Sequence, residues 1–170
     1  IRAISDRLHI FASPSCITQT VQSIRASCLG IKSLGQLDLV IIDYLLLVRG
    51  HSNMEEHDRV NALTTELFGV KKELGCPFIV NHHLSRAIEH RGDGNPVLSD
   101  LTEGGERDPD IVASLTDDKD VMRTGELIPM KLTFTKHRGG PTGSVPLLFK
   151  GSCTTFLPSA VYRVNLKGAK

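Results

Sequence analysis

Leu39-Val40-Ile41-Ile42-Asp43 is a run of four apolar residues closed by an acid. With Leu37 and Tyr44 it forms a nearly continuous apolar stretch without regular alternation. Such a stretch reads as a strand buried on both faces, as in the interior of a parallel sheet. A parallel neighbour needs a crossover connection, and the next segment supplies one. Between Glu55 and Leu74, the residues Val60, Leu63, Leu67, Val70 and Leu74 recur at helical spacing with charges between them. Gly75 stops that helix and Pro77 follows. Phe78-Ile79-Val80 is the next buried strand, and it ends in Asn81-His82-His83.

Toward the N-terminus, Leu8-His9-Ile10-Phe11 reads as a strand before the turn Ser13-Pro14-Ser15. Thr18 or Thr20 caps a helix through Val21, Ile24 and Cys28 that ends at Gly30. Residues 85–110 are polar, glycine-rich and charged, a loop long enough to suggest function. Ile111-Val112-Ala113 begins another strand. Met130 to Thr135 alternates as a strand, with Ser144 to Phe149 as its partner. Between them lies Lys136-His137-Arg138-Gly139-Gly140-Pro141-Thr142-Gly143, a turn rich in glycine and positive charge. The expected fold class is α/β: a mostly parallel sheet flanked by helices, with an antiparallel hairpin at its edge.

Composition narrows the functional classes. The 170 residues carry 20 Lys and Arg against 19 Asp and Glu. Any phosphate-binding site must therefore be a local patch rather than a property of the whole surface. Cys16, Cys28, Cys76 and Cys153 form no C-x-x-C pair, which argues against a zinc site. They read as reduced thiols of a cytosolic protein. No stretch has the length of a membrane span, and no secretory signal opens the chain. With no Trp and two Tyr, stacking on nucleobases is not the main binding mode.

In open α/β sheets, ligands sit at the carboxyl ends of the strands. Asp43 and His82-His83 fall there, on two strands joined by one crossover helix. An acid closing a buried strand has the shape of a Walker B motif, whose carboxylate orients water on magnesium beside nucleotide phosphates. It is also a common strand ending. Of the two histidines one points toward the Asp43 side, where an imidazole can sense a terminal phosphate. Two partly exposed polar residues at a strand end fit the same sequence, and a metal-dependent hydrolase using Asp43, His82 and His83 is a further reading. Lys136 and Arg138 suit phosphate oxygens, and they equally suit a solvated turn. Arg86, His90 and Arg91 add positive charge to the long loop, for a nucleic-acid backbone or for solvent. The stretch from Asp100 to Asp110 is acidic.

In order, these segments resemble the C-terminal domain of replicative helicases of the DnaB type. Leu39 to Leu45 looks like their Walker B motif, and Lys72-Glu73-Leu74 through Ile79 looks like the approach to their sensor. Leu84-Ser85-Arg86 and Glu89 continue the match. Pro96-Val97-Leu98-Ser99-Asp100-Leu101 looks like the loop facing DNA, and Asp108 to Val112 matches an Asp-x-Asp-x-Val stretch. The turn from Lys136 to Gly143 is similar to the family's arginine-finger turn, and Ile24-Arg25-Ala26 with Cys28 resembles the upstream helix. The resemblance covers roughly residues 8–157. It implies a partial RecA-like domain over residues 1–157, followed by a tail over 158–170.

The resemblance also implies an activity: a homo-hexameric ring that hydrolyses ATP between subunits and draws single-stranded DNA through its centre. Asp43 would hold Mg2+ through water, and His83 would sense the phosphate. Lys136 and Arg138 would reach a neighbour's ATP, with Arg138 as arginine finger. Arg86, Arg91, Ser99 and Asp100 would line the DNA path. Primase and a helicase loader are the implied partners, and the bacterial or phage-infected cytoplasm is the implied location. Leu46, Thr65 and Thr102 depart from the family's usual Gln, Arg and Arg. No G-x-x-x-x-G-K-[ST] loop occurs in the chain, so the expectation is a fragment that is inactive alone. Rival readings are another RecA-fold ATPase such as a recombinase paralogue, and a degenerate, non-enzymatic relative.

Overall fold

The computed structural model describes residues 7–11, 19–85, 88, 95–101, 105–119, 121–123 and 125–159. The chain divides into two compact units, residues 1–82 and 83–170.

The first unit orders α1 (Val21–Leu34), β1 (Val40–Ile42), α2 (Glu56–Leu74) and β2 (Phe78–Val80). β1 and β2 pair in parallel, Val40 with Phe78, Ile41 with Ile79 and Ile42 with Val80. Of the two expected caps, Thr20 is the one used. Its hydroxyl accepts from the Ser23 N–H at 3.1 Å, and the Ser23 hydroxyl accepts from the Thr20 N–H at 2.8 Å. α2 ends as expected at Gly75, which takes the left-handed conformation with φ 67°. Leu63, Leu67 and Val70 of α2 pack with Val21 and Cys28 of α1, Ile42 of β1 and Leu45 into one apolar core. Leu63 and Val60 are fully buried, each stabilising the fold by about 1.5–3 kcal/mol.

Three expectations change here. Leu8 to Phe11 forms no strand, and Leu8, Ile10 and Phe11 are exposed, since no strand partner lies beside them among the described residues. α1 runs past Gly30 to Leu34. Lys32, in its last turn, donates to the Leu74 carbonyl at 2.7 Å, tying that turn to the end of α2 and offsetting the roughly 1 kcal/mol cost of an internal glycine. The apolar run at Leu39 to Asp43 is not buried on both faces. Ile41 is 61% exposed and Ile79 50%. Side chains alternate across a strand, so Ile42 enters the core with Val40 and Val80 packed against it, while Ile41 and Ile79 take the other face.

The second unit is a four-stranded antiparallel sheet in the order β3 (Ile111–Asp117), β4 (Leu127–His137), β5 (Gly143–Lys150) and β6 (Thr155–Pro158). Val112 and Ser114 are buried along β3 while Ile111, Ala113 and Leu115 are exposed. On β4 the buried Thr133 shares a 2.9 Å hydroxyl contact with Ser144 of β5. The expected hairpin forms from β4 and β5, and β3 and β6 flank it in one antiparallel sheet. Short connections favour antiparallel neighbours, and among the described residues only α2 supplies a parallel crossover. β6 extends this sheet beyond the expected hairpin. Residues 160–170, most of the expected tail, lie outside the described residues.

Candidate active site

Asp43 follows the last residue of β1 and is exposed. Parallel pairing of Ile42 with Val80 sets the next residues, Asp43 and Asn81, side by side at the carboxyl ends of the two strands. Asn81 Nδ2 donates to Asp43 Oδ1 at 3.1 Å. The Asn81 backbone is pinned on both sides: its N–H donates to the Ile42 carbonyl at 2.9 Å, and its carbonyl accepts from the Leu45 N–H at 2.9 Å. Leu45 is 1% exposed and anchors a short helical turn, Leu45–Leu47, just after the acid. Leu46, where the resembling family has Gln, packs against the apolar core.

The sequence offers two histidines as neighbours of Asp43, yet the hydrogen-bonded neighbour is Asn81. His82 is partly buried and His83 is exposed, both just beyond β2. The signal that finds Asn81 is the pairing register. Among the described residues, no group of three or more His, Cys, Asp and Glu side chains is disposed to hold a metal ion. The hydrolase built on Asp43, His82 and His83 therefore finds no support in the geometry.

Within the second unit, Lys136 and Arg138 are held by one segment. Lys136 Nζ donates to the carbonyls of Glu106 at 2.8 Å and Arg107 at 2.7 Å. Arg138 Nη1 donates to Asp110 Oδ1 at 2.9 Å, and Nη2 donates to the Arg107 carbonyl at 3.3 Å. The Arg138 N–H also donates to the Asp110 carbonyl at 2.9 Å. The turn is thus not simply solvated. Asp110 lies 28 residues before Arg138, and no local pattern in the sequence announces their contact.

Of the four residues assigned to the DNA path, Arg86 and Arg91 lie outside the described residues, as does His90. Ser99 is exposed on a short helical turn, Leu98–Asp100. Asp100 is 3% exposed, and its Oδ2 accepts from the Val97 N–H at 2.6 Å. Its carbonyl accepts from the Ser85 N–H at 2.7 Å. The Asp100 side chain therefore shapes the turn from within, in contrast to the expected outward presentation.

A β–α–β crossover that delivers an exposed acid to a strand end, with an antiparallel sheet bearing two anchored cations, fits the RecA-like ATPase fold of the solved structures it resembles. Residues 4–158 match the DnaB-like helicase C terminal domain, and the chain belongs to that family. It is 37% identical over 134 residues to the replicative DNA helicase DnaC of Bacillus subtilis, covering 76% of this chain and 30% of that protein. It is 38% identical over 160 residues to the replicative DNA helicase DnaB of Leifsonia xyli subsp. xyli, covering 90% and 34%. The chain thus spans about a third of the length of these relatives. Among solved structures, one ATPase domain superposes with a TM-score of 0.74 at 30% identity, covering 83% of this chain and 52% of that one. A DnaB-like replicative helicase, studied with its interactions with primase, superposes at 0.79 and 29% identity, covering 91% and 39%. Family membership implies nucleotide use. No helix among the described residues is long and apolar enough to cross a membrane.

Proposed function

We propose that this chain is part of the motor of an ATP-dependent replicative DNA helicase, working at subunit interfaces of a homo-hexamer on single-stranded DNA. The observation that carries the reading is Asp43, an exposed carboxylate at the end of a strand, fixed by Asn81. One carboxylate suits magnesium, which keeps most of its waters and takes its other ligands from substrate phosphates. That ion would neutralise charge on the β- and γ-phosphates of ATP. Asp43 orients its water shell. His83 is the candidate phosphate sensor beyond β2. Lys136 and Arg138 act on the ATP of the neighbouring subunit, Arg138 as the finger whose planar fork matches phosphoryl oxygens. Ser99, with Arg86 and Arg91, is proposed to meet the DNA backbone. Primase, which the solved DnaB-like neighbour meets, is the first proposed partner, and a helicase loader is a second.

A subunit-mixing experiment on the full-length protein tests this. Arg138→Ala is expected to lower ATP turnover by a factor on the order of a thousand, with nucleotide binding to a single subunit nearly unchanged. Asp43→Asn is expected to be similarly inactive with the fold intact. Rings containing both variants have interfaces that pair an intact Asp43 with an intact Arg138 from the neighbour, and they should regain part of the activity. A nearly fully active Arg138→Ala protein, or no recovery on mixing, would overturn the interface reading.

A further inference from the structure

The geometry points to Asp110 as the positioning residue of Arg138, an inference that rests on the interface reading above. The segment 106–110 grips both cations of the turn: the carbonyls of Glu106 and Arg107 hold Lys136, and Asp110 with the Arg107 carbonyl holds Arg138. The anchor is itself fixed. Ile111, next to Asp110, pairs with His137, next to Arg138, in the β3–β4 ladder. One step further along, the register shifts: Val112 faces Lys136 but Ala113 faces Phe134, which leaves Thr135 as an extra residue on β4. A bulge of this kind turns the strand and re-aims the side chains beyond it. Here those side chains are Lys136, His137 and Arg138.

Donor arithmetic separates positioning from sequestration. A guanidinium carries five N–H groups and an ammonium three. Asp110 and the Arg107 carbonyl engage one N–H on each terminal nitrogen of Arg138. Among the described residues nothing takes the other three, so the fork keeps donors for a phosphate while it is held. Lys136 has two of its three engaged and keeps one. The Arg138 and Asp110 side chains are 50% and 46% exposed. A pair this open to solvent adds little to fold stability. What it supplies is direction, because a side chain ordered in advance loses less freedom when it meets its ligand.

Asp110→Asn in the full-length enzyme tests this through the split between kcat and KM. Turnover is expected to fall roughly tenfold from misalignment of the fork. KM for ATP and the thermal midpoint should stay near wild type. Asp110→Ala should behave alike, and Asp110→Glu should recover part of the rate. In an Arg138→Ala background, followed by single-turnover assay, Asp110→Asn should cause no further loss. Equal losses in both backgrounds would overturn the inference and assign Asp110 a purely structural role. A wild-type rate for Asp110→Asn would overturn it too, and a faster one would mean that Asp110 restrains Arg138. Should Arg138→Ala itself prove nearly fully active, it is the interface reading that fails, whatever Asp110 does.

Discussion

Residues 1–82 and residues 83–170 hold their order by different means. In the first unit, two helices and one face of a strand pair bury Leu, Val and Ile side chains in a single cluster, and the candidate catalytic acid stands at the cluster's rim. In the second, the backbone ladder of four antiparallel strands sets the frame, and two of the side chains it buries, Ser114 and Thr133, are polar. Its candidate cations are aimed by hydrogen bonds to carbonyls and one carboxylate. The contrast shows two ways of fixing a functional group. Asp43 takes its position from a strand anchored in the core, and Arg138 takes its position from polar contacts that leave it exposed.

Truncating the apolar core should have the largest effect on stability. Leu63 is completely buried, so Leu63→Ala is expected to cost about 2–5 kcal/mol. Chemical denaturation should show a lower midpoint at an unchanged slope. A loss below about 1 kcal/mol would mean that the first unit does not depend on this cluster.

The second unit should respond to polarity more gently. Thr133→Val leaves the Ser144 hydroxyl without its 2.9 Å partner, and a cost of about 1 kcal/mol is expected. Ser144 is exposed, so its hydroxyl turns to water, and adding Ser144→Ala to Thr133→Val should change stability little further. If Thr133→Val alone cost as much as Leu63→Ala, the distinction between the two units would collapse.

The smallest effect concerns the surface of the first unit. Arg25 Nε and Nη2 donate to the two Glu73 oxygens at 2.6 and 2.5 Å. The hydrogen bond from Arg25 holds the Glu73 carboxyl below its ordinary value. A carboxyl whose folded value is lowered contributes stability that is present above its unfolded value and lost as pH falls through the folded one. Thermal melts of wild type and Glu73→Gln should therefore differ slightly near neutral pH and converge in acid. High salt should also narrow the gap, since the pair is exposed. A difference that persists unchanged in acid would assign Glu73 a role other than this pair.

Much of this is legible in the residues themselves. The helical spacing of Val60, Leu63, Leu67, Val70 and Leu74 marks α2, and Gly75 marks its end, because core-facing periodicity and a left-handed cap are local properties. The apolar run before Asp43 locates the acid at a strand end, and the ordered series of motifs points to the family. Pairing partners far apart in sequence are not legible. Only the register of β1 with β2 brings Asn81 to Asp43, and only the β3–β4 ladder, with its bulge, brings Asp110 to Arg138. The same holds for exposure: the pattern makes Ile41 a core residue and Asp100 a surface one, and the folded chain reverses both. A sequence determines which residues are apolar and how they recur along one element. Which face another element covers, and which distant polar group meets which, is decided when those elements pack.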